Sequence, residues 1–195
     1  MTVSGKLKKA FVEQIKSICW ANKISPETMN ISEGKTVSEI EVFHIILNSG
    51  ELDGDVLKLI SKNIPYNILF VLEFDEKIKF ALFHNRLFKS DWIKKDEAVL
   101  KPEGLNTDDL WKNFVVQIGG VLIESGNTLD EQIVIDDKKE KIKKEIERLE
   151  KKARAEKQPK RKYELAMRAE ELKKQFLIYK SEFVIGERGI KNEIL

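Results

Sequence analysis

IEVFHIILNSGELDGDVLKLISKNIPYNILFVLEF, residues 40–74, decides the fold of this chain. Two runs rich in β-formers, 40–47 and 66–74, flank a stretch with helical spacing. Neither run alternates cleanly between apolar and polar residues, so each reads as a strand covered on both faces and set inside the sheet. Between them, Asp53 is placed to cap a short helix with Val56, Leu57 and Ile60 on one face, and Pro65 stops it. Strand, helix and strand at this separation form a crossover unit. That predicts two parallel strands with a right-handed connection.

Downstream, Asp75-Glu76 predicts a turn into a strand over 78–83, closing an antiparallel hairpin, and 87–93 offers an edge strand. Asn106-Thr107-Asp108 opens a helix with Leu110, Phe114, Val115 and Ile118 facing inward. Trp92 and Trp111 read as core-rim residues. Upstream, Leu7, Phe11, Ile15 and Ile18 predict an amphipathic helix over 5–21, with breaks at Ser25-Pro26 and Gly34. Cys19 falls in that helix and is expected to be a small buried hydrophobe. As the single cysteine of 195 residues it excludes an internal disulfide framework and fits a reducing cytoplasm. The apolar runs are too short to cross a bilayer and the start lacks a signal-peptide core, so no membrane partner is expected.

Charge divides the chain further. Charged residues make up 35% of it, against a usual level of roughly 25%. Residues 138–162 carry thirteen Lys/Arg against five Glu, a net +8, while the whole chain is only +2. Residues 163–195 are neutral, which leaves 1–137 at −6. Ile142, Ile146, Leu149 and Ala153, then Leu165, Ala169, Leu172, Phe176 and Tyr179, repeat at heptad-like spacing. Pro159 separates the two sets and is tolerated only in a helix's first turn. These features predict an antiparallel helical hairpin with its tip at 156–162. Its nine seam positions include two alanines, so the hairpin needs the body, a second copy or a partner to lean on.

The basic arm has two readings. Lys/Glu-rich helices are commonly solvated faces, with pairs such as Glu147–Lys151 at i, i+4. A surplus of eight positive charges exceeds what solvation requires and points to a polyanion or an acidic protein surface. The candidate nucleic-acid contacts are Lys152, Arg154, Lys157, Lys160, Arg161 and Lys162; the candidate partner or oligomer seam is Ile142, Ile146, Leu149, Leu165, Leu172 and Phe176. No catalytic residue, metal site or cofactor is assigned. His44, in a strand, is expected to be a satisfied core histidine, and His84 to serve a turn. An alternative reading is a divergent metal-dependent nuclease using Glu73, Asp75 and Lys77, with Lys79, Glu39 and Glu41 on adjoining strands. Charged residues at a hairpin tip are also ordinary turn residues.

The segments WANKISPETMNI (20–31), EIEVFHIIL (39–47), IPYNILFVLEF (64–74), Asp91-Trp92 and LWKNFVVQI (110–118) resemble domain-of-unknown-function family 4391, over roughly residues 5–120. The resemblance implies an accessory role in DNA-directed defence, since genes of similar proteins tend to lie beside DNA methyltransferase and helicase genes. It also implies that longer members carry an N-terminal segment that this chain lacks. It supplies no active residues.

The expected fold class is therefore α+β. A small mixed β-sheet flanked by helices spans 1–127, a charged C-terminal antiparallel helical hairpin 128–180, and a tail 181–195 forms a short strand or stays loose. The expected function is a non-enzymatic adaptor in a DNA-modification or phage-defence complex. Its partners would be a larger enzyme such as a helicase or methyltransferase, and non-specific DNA or RNA. A pure oligomerisation module is the third reading, with hairpins pairing between copies as a homo-oligomer.

Overall fold

Strands β2 (Ile40–Leu47) and β3 (Asn67–Phe74) pair in parallel, Ile40 opposite Asn67 and Ile46 opposite Glu73, with helix α3 (Gly54–Asn63) between them in the chain. The structure is a computed structural model that describes residues 4–189, with side chains to residue 177. Asp53 caps α3 by accepting the Asp55 N–H at 3.0 Å. Asp75 and Glu76 take left-handed φ values of 47° and 58° and turn the chain into β4 (Lys77–His84). Two consecutive positive φ values give the twist that an antiparallel two-residue hairpin requires. The expected strand over 87–93 divides into β5 (Arg86–Lys89) and the short β6 (Ile93–Lys94), both pairing with β4. With β1 (Ile15–Ile24), the sheet order is β1-β2-β3-β4-β5, mixed because only β2 and β3 run parallel.

The first element departs from expectation. Helix α1 (Gly5–Gln14) stops where Ile15 turns extended, and Ile15–Ile24 forms edge strand β1, antiparallel to β2. Helical spacing of four apolar residues is outweighed by the backbone ladder that β2 offers and by the β-branched Ile15 and Ile18. Register shifts after Ile15 and Trp20 interrupt this edge, and such irregularities limit its use as a template for further strands. Cys19 is consequently exposed rather than buried, and Trp20 is 63% exposed.

Both sheet faces are covered. On one, Ile45, Phe70, Leu72 and Ala81 form a buried cluster with Leu57 of α3. On the other lies helix α4 (Thr107–Gly119), capped by Asn106, with Leu110, Trp111, Phe114, Val115 and Ile118 buried. Trp111 is thus a core residue, only 3% exposed, while Trp92 is half-buried. A Cβ at Gly119 would lie 2.5 Å from the Phe88 ring, so glycine is what lets α4 close onto β5.

Asp108 ties the start of α4 to the loop before β2. Its carboxylate accepts N–H bonds from Lys35 at 2.7 Å, Thr36 at 3.1 Å and Val37 at 2.7 Å, and the Thr36 hydroxyl at 2.8 Å. Thr107, fully buried, donates to the Val37 carbonyl and accepts from Gly34 N–H at 2.7 Å. Burial opposes the ionisation of Asp108, but bonds from Thr36, Val37 and Lys35 outweigh it and hold the carboxyl below its ordinary range.

The chain divides into two compact units, Met1–Val121 and Leu122–Leu195. In the second, helices α5 (Leu129–Ala155) and α6 (Pro159–Gly189) pack together as a hairpin. Thr128 and Glu131 form a reciprocal capping box at the start of α5. Helix α6 runs on to Gly189, where a strand or loose tail was expected from 181. Tyr179, the last expected seam residue, lies outside the described side chains, and 190–195 lie outside the described residues.

Candidate functional site

The hairpin tip is a short turn between two helix ends. Glu156 caps α5, its N–H bonded to the Lys152 carbonyl at 3.0 Å, and Pro159 is the first residue of α6. Proline suits that position because its missing N–H has no helical partner there. Lys152, Arg154, Lys157, Lys160, Arg161 and Lys162 are all exposed. Lys152 and Arg154 occupy the last turn of α5, where positive charge complements the helix dipole. Lys160, Arg161 and Lys162 do the reverse. They fill the first turn of α6, which holds no acidic residue, and so place three cations at the positive end of a helix. Arg154 reaches Glu150 at 3.5 Å. Lys152, Lys157, Lys160, Arg161 and Lys162 have no ion pair among the described residues.

Farther along the arm, several charges pair with one another. Glu140 pairs with Lys144, and Glu145 with Arg148 through two bonds of 2.6 and 2.7 Å. Lys173 of α6 reaches Glu150 of α5 at 2.9 Å and Glu170 at 2.7 Å. The Arg148 hydrogen bond holds the Glu145 carboxyl below its usual range, and Lys173 does the same for Glu150. The expected Glu147–Lys151 pair is not among the contacts formed. Lys138, Lys141, Lys143 and Lys151 also have no ion pair among the described residues, but residues 152–162 carry six Lys/Arg against one Glu, so net positive charge is densest towards the tip.

The seam closes only in part. Leu149, Ala153 and Ala169 are buried, whereas Ile142, Ile146, Leu165, Leu172 and Phe176 are half-buried. Near the tip, Ala153, Ala166 and Ala169 with Glu150, Arg154 and Glu170 line a groove of about 230 Å³. Small side chains leave this gap, and half-covered isoleucine and leucine extend along the same pair of helices.

In the first unit, two of the residues considered for metal chemistry, Glu73 and Glu39, are held in ion pairs. Glu73 Oε2 lies 2.8 Å from His44 Nε2, and Glu73 Oε1 accepts from Lys95 Nζ at 2.7 Å. The Lys95 bond, helped by His44 and opposed by burial, holds the Glu73 carboxyl below its usual range. Asp75 lies in the turn, and Lys77 is exposed at the start of β4. Glu39 pairs with Lys23. Glu41 is 7% exposed with Oε2 unpartnered, and burial pushes its carboxyl pKa up. No three His, Cys, Asp or Glu side chains converge among the described residues. His44 is half-buried and finds its partner in Glu73; His84 ends β4 beside left-handed Asn85 and accepts from Trp111 Nε1 at 3.0 Å. The Asp108 network and Lys95 were not anticipated from the sequence. A helix-capping Asn106-Thr107-Asp108 triplet is the visible signal for the first; nothing local signals the second.

The family model for Domain of unknown function (DUF4391) matches residues 1–176, and the chain belongs to that family. The match takes in both the sheet-bearing unit and most of the hairpin. No curated protein and no solved structure matches the chain.

Proposed function

We propose that this DUF4391 member is a non-enzymatic accessory protein of a DNA-modification or phage-defence complex in the cytoplasm. The sheet-bearing unit docks on a larger enzyme, such as a helicase or methyltransferase, and the hairpin tip touches nucleic acid. The observation that carries the reading is the first turn of α6. Lys160, Arg161 and Lys162 work against their own helix dipole there and, with Lys157, lack carboxylate partners among the described residues. Charges that cost local stability are accounted for by an external anion. The half-covered seam adds a second contact surface, for the enzyme or for another copy. The defence context rests on the sequence resemblance alone.

The nuclease alternative draws less support, because both oxygens of Glu73 already have partners, Lys95 and His44. The deciding experiment isolates the tagged protein from its own host and identifies what accompanies it. The proposal expects a DNA-processing enzyme that remains after nuclease treatment. Recovery of only the chain itself, as a defined oligomer, would replace it with the oligomerisation reading.

A further inference from the structure

Lys79 and Lys89 lie on the same face of neighbouring strands. Lys89 is opposite Ala81 in the β4–β5 ladder, two residues from Lys79, so the two side chains are diagonal neighbours. Like charges directly opposite destabilise a sheet, and a diagonal pair of long side chains feels the same repulsion more weakly. Neither lysine has an ion pair among the described residues. Lys79 Nζ sits 4.8 Å from the centre of the Trp92 ring, and Lys89 Nζ reaches the Leu52 carbonyl at 3.4 Å. A Cβ at Gly54 would come within 3.6 Å of Lys89 Nζ, so that ammonium lies over the first turn of α3, at the helix's positive end. Burial, and then the Lys79 charge, pull the Lys89 pKa below the ordinary lysine range, with Asp53 opposing.

These groups surround a cavity of about 390 Å³, within the size range of small-molecule sites. Leu47 and Leu72, near the carboxyl ends of the parallel strands β2 and β3, form its apolar wall. Ligands of open α/β sheets enter at that end of the strands. Glu51 and Asp53 also line it, two carboxylates beside the two ammoniums, but neither forms an ion pair with Lys79 or Lys89 among the described residues, and Asp53 is turned to the Asp55 N–H at 3.0 Å and to Lys6 at 3.8 Å.

We propose that this cavity binds a phosphate monoester of mononucleotide size, its phosphate held between Lys79 and Lys89. A dianion matches two ammonium groups where a single carboxylate would leave one uncompensated. The apolar wall accommodates the rest of the ligand, and Trp92 fixes Lys79 at the rim.

The test titrates the full chain calorimetrically with inorganic phosphate, pyrophosphate and AMP. The same titrations are repeated on Lys89→Met, on Lys79→Met, and on a variant with Lys157, Lys160, Arg161 and Lys162 changed to Glu. Saturable binding is expected in wild type and in the tip variant, at least tenfold weaker in either single variant. AMP binding more tightly than inorganic phosphate would assign the organic part to the apolar wall; equal affinity would restrict the site to free phosphate and overturn the monoester. Lys89→Met should melt no lower than wild type, since it removes a charge that Lys79 repels and keeps the chain length. Absence of saturable binding by any probe at 10 mM, or unchanged binding in Lys89→Met, would overturn the site. Loss confined to the tip variant would assign the binding to the hairpin instead.

Discussion

Changing Lys157, Lys160, Arg161 and Lys162 together to Glu separates the proposed nucleic-acid contact from arm stability. The four exposed charges define the expected salt law. Each phosphate neutralised contributes a slope of about −0.9 in log affinity against log salt, so four contacts give about −3.6. Affinity for duplex DNA should then fall about 150-fold between 50 and 200 mM salt, from a Kd in the non-specific range of about 10⁻⁴–10⁻⁶ M. The reversal takes residues 138–162 from +8 to neutral, leaving nothing to offset the −6 of residues 1–137. Binding should vanish at every salt concentration. The helix should not suffer, because Glu in the first turn of α6 favours the dipole that the three native cations oppose. That gain is on the order of 1 kcal/mol for the three positions together at low ionic strength. Gel-shift or anisotropy titrations at several salt concentrations, paired with thermal melts followed by circular dichroism, measure both quantities. A wild-type slope near zero, or a variant that still binds, would refute the reasoning. A variant that loses helical signal would show that the native charges serve the fold.

Four further outcomes follow from the first unit. Asp108→Ala should destabilise it by about 3 kcal/mol in urea titration, because four donors lose a charged acceptor. Asp108 and Glu73 both have folded pKa values below their ordinary 3.8 and 4.5, so their stabilisation is present above those values and lost as pH falls through the folded ones; Asp108→Asn should flatten the acid limb of a stability–pH curve. Glu76→Gly should raise the melting temperature by about 3 °C, since Glu76 sits at φ 58° where glycine is relieved of about 1 kcal/mol of strain; an unchanged or lower value would show that the turn is not strained. Residues 1–121 expressed alone should unfold in one cooperative transition, and a fragment without one would make the hairpin part of the core.

The crossover at 40–74 was legible because burial on both faces removes the usual ambiguity of a strand. A run such as IEVFHIIL has no polar face to present to water, so its place inside the sheet follows from composition. The misread segment shows where that logic ends. Ile15–Ile24 is mostly exposed along its length, so hydrophobic pattern carries little information about it. What makes it a strand is backbone hydrogen bonding to β2, a long-range partner that no local spacing announces. Caps and turns were legible for the opposite reason, since Asp53, Asn106 and Pro159 act within a few residues of themselves.

The two sites differ in the same way. Tip charge is a local property, and residues 157–162 disclose it directly, although only the helix boundary at Pro159 reveals that three of the cations oppose a dipole. The lysines of the cavity are ten residues apart in sequence and become neighbours through the register that sets Ala81 opposite Lys89. Read alone, each is a lysine in or at the end of a strand, hardly distinguishable from Lys77 or Lys94. Their meaning depends on pairing, on the fit of Lys89 over Gly54, and on the ends of two parallel strands meeting at one cavity. A sequence can disclose that a β4–β5 hairpin exists. Which of its cations share a face, and whether a carboxylate compensates them, follows only from the register. That difference orders the tests: tip variants can be chosen from charge alone, whereas Lys79 and Lys89 are worth changing only because the fold places them together.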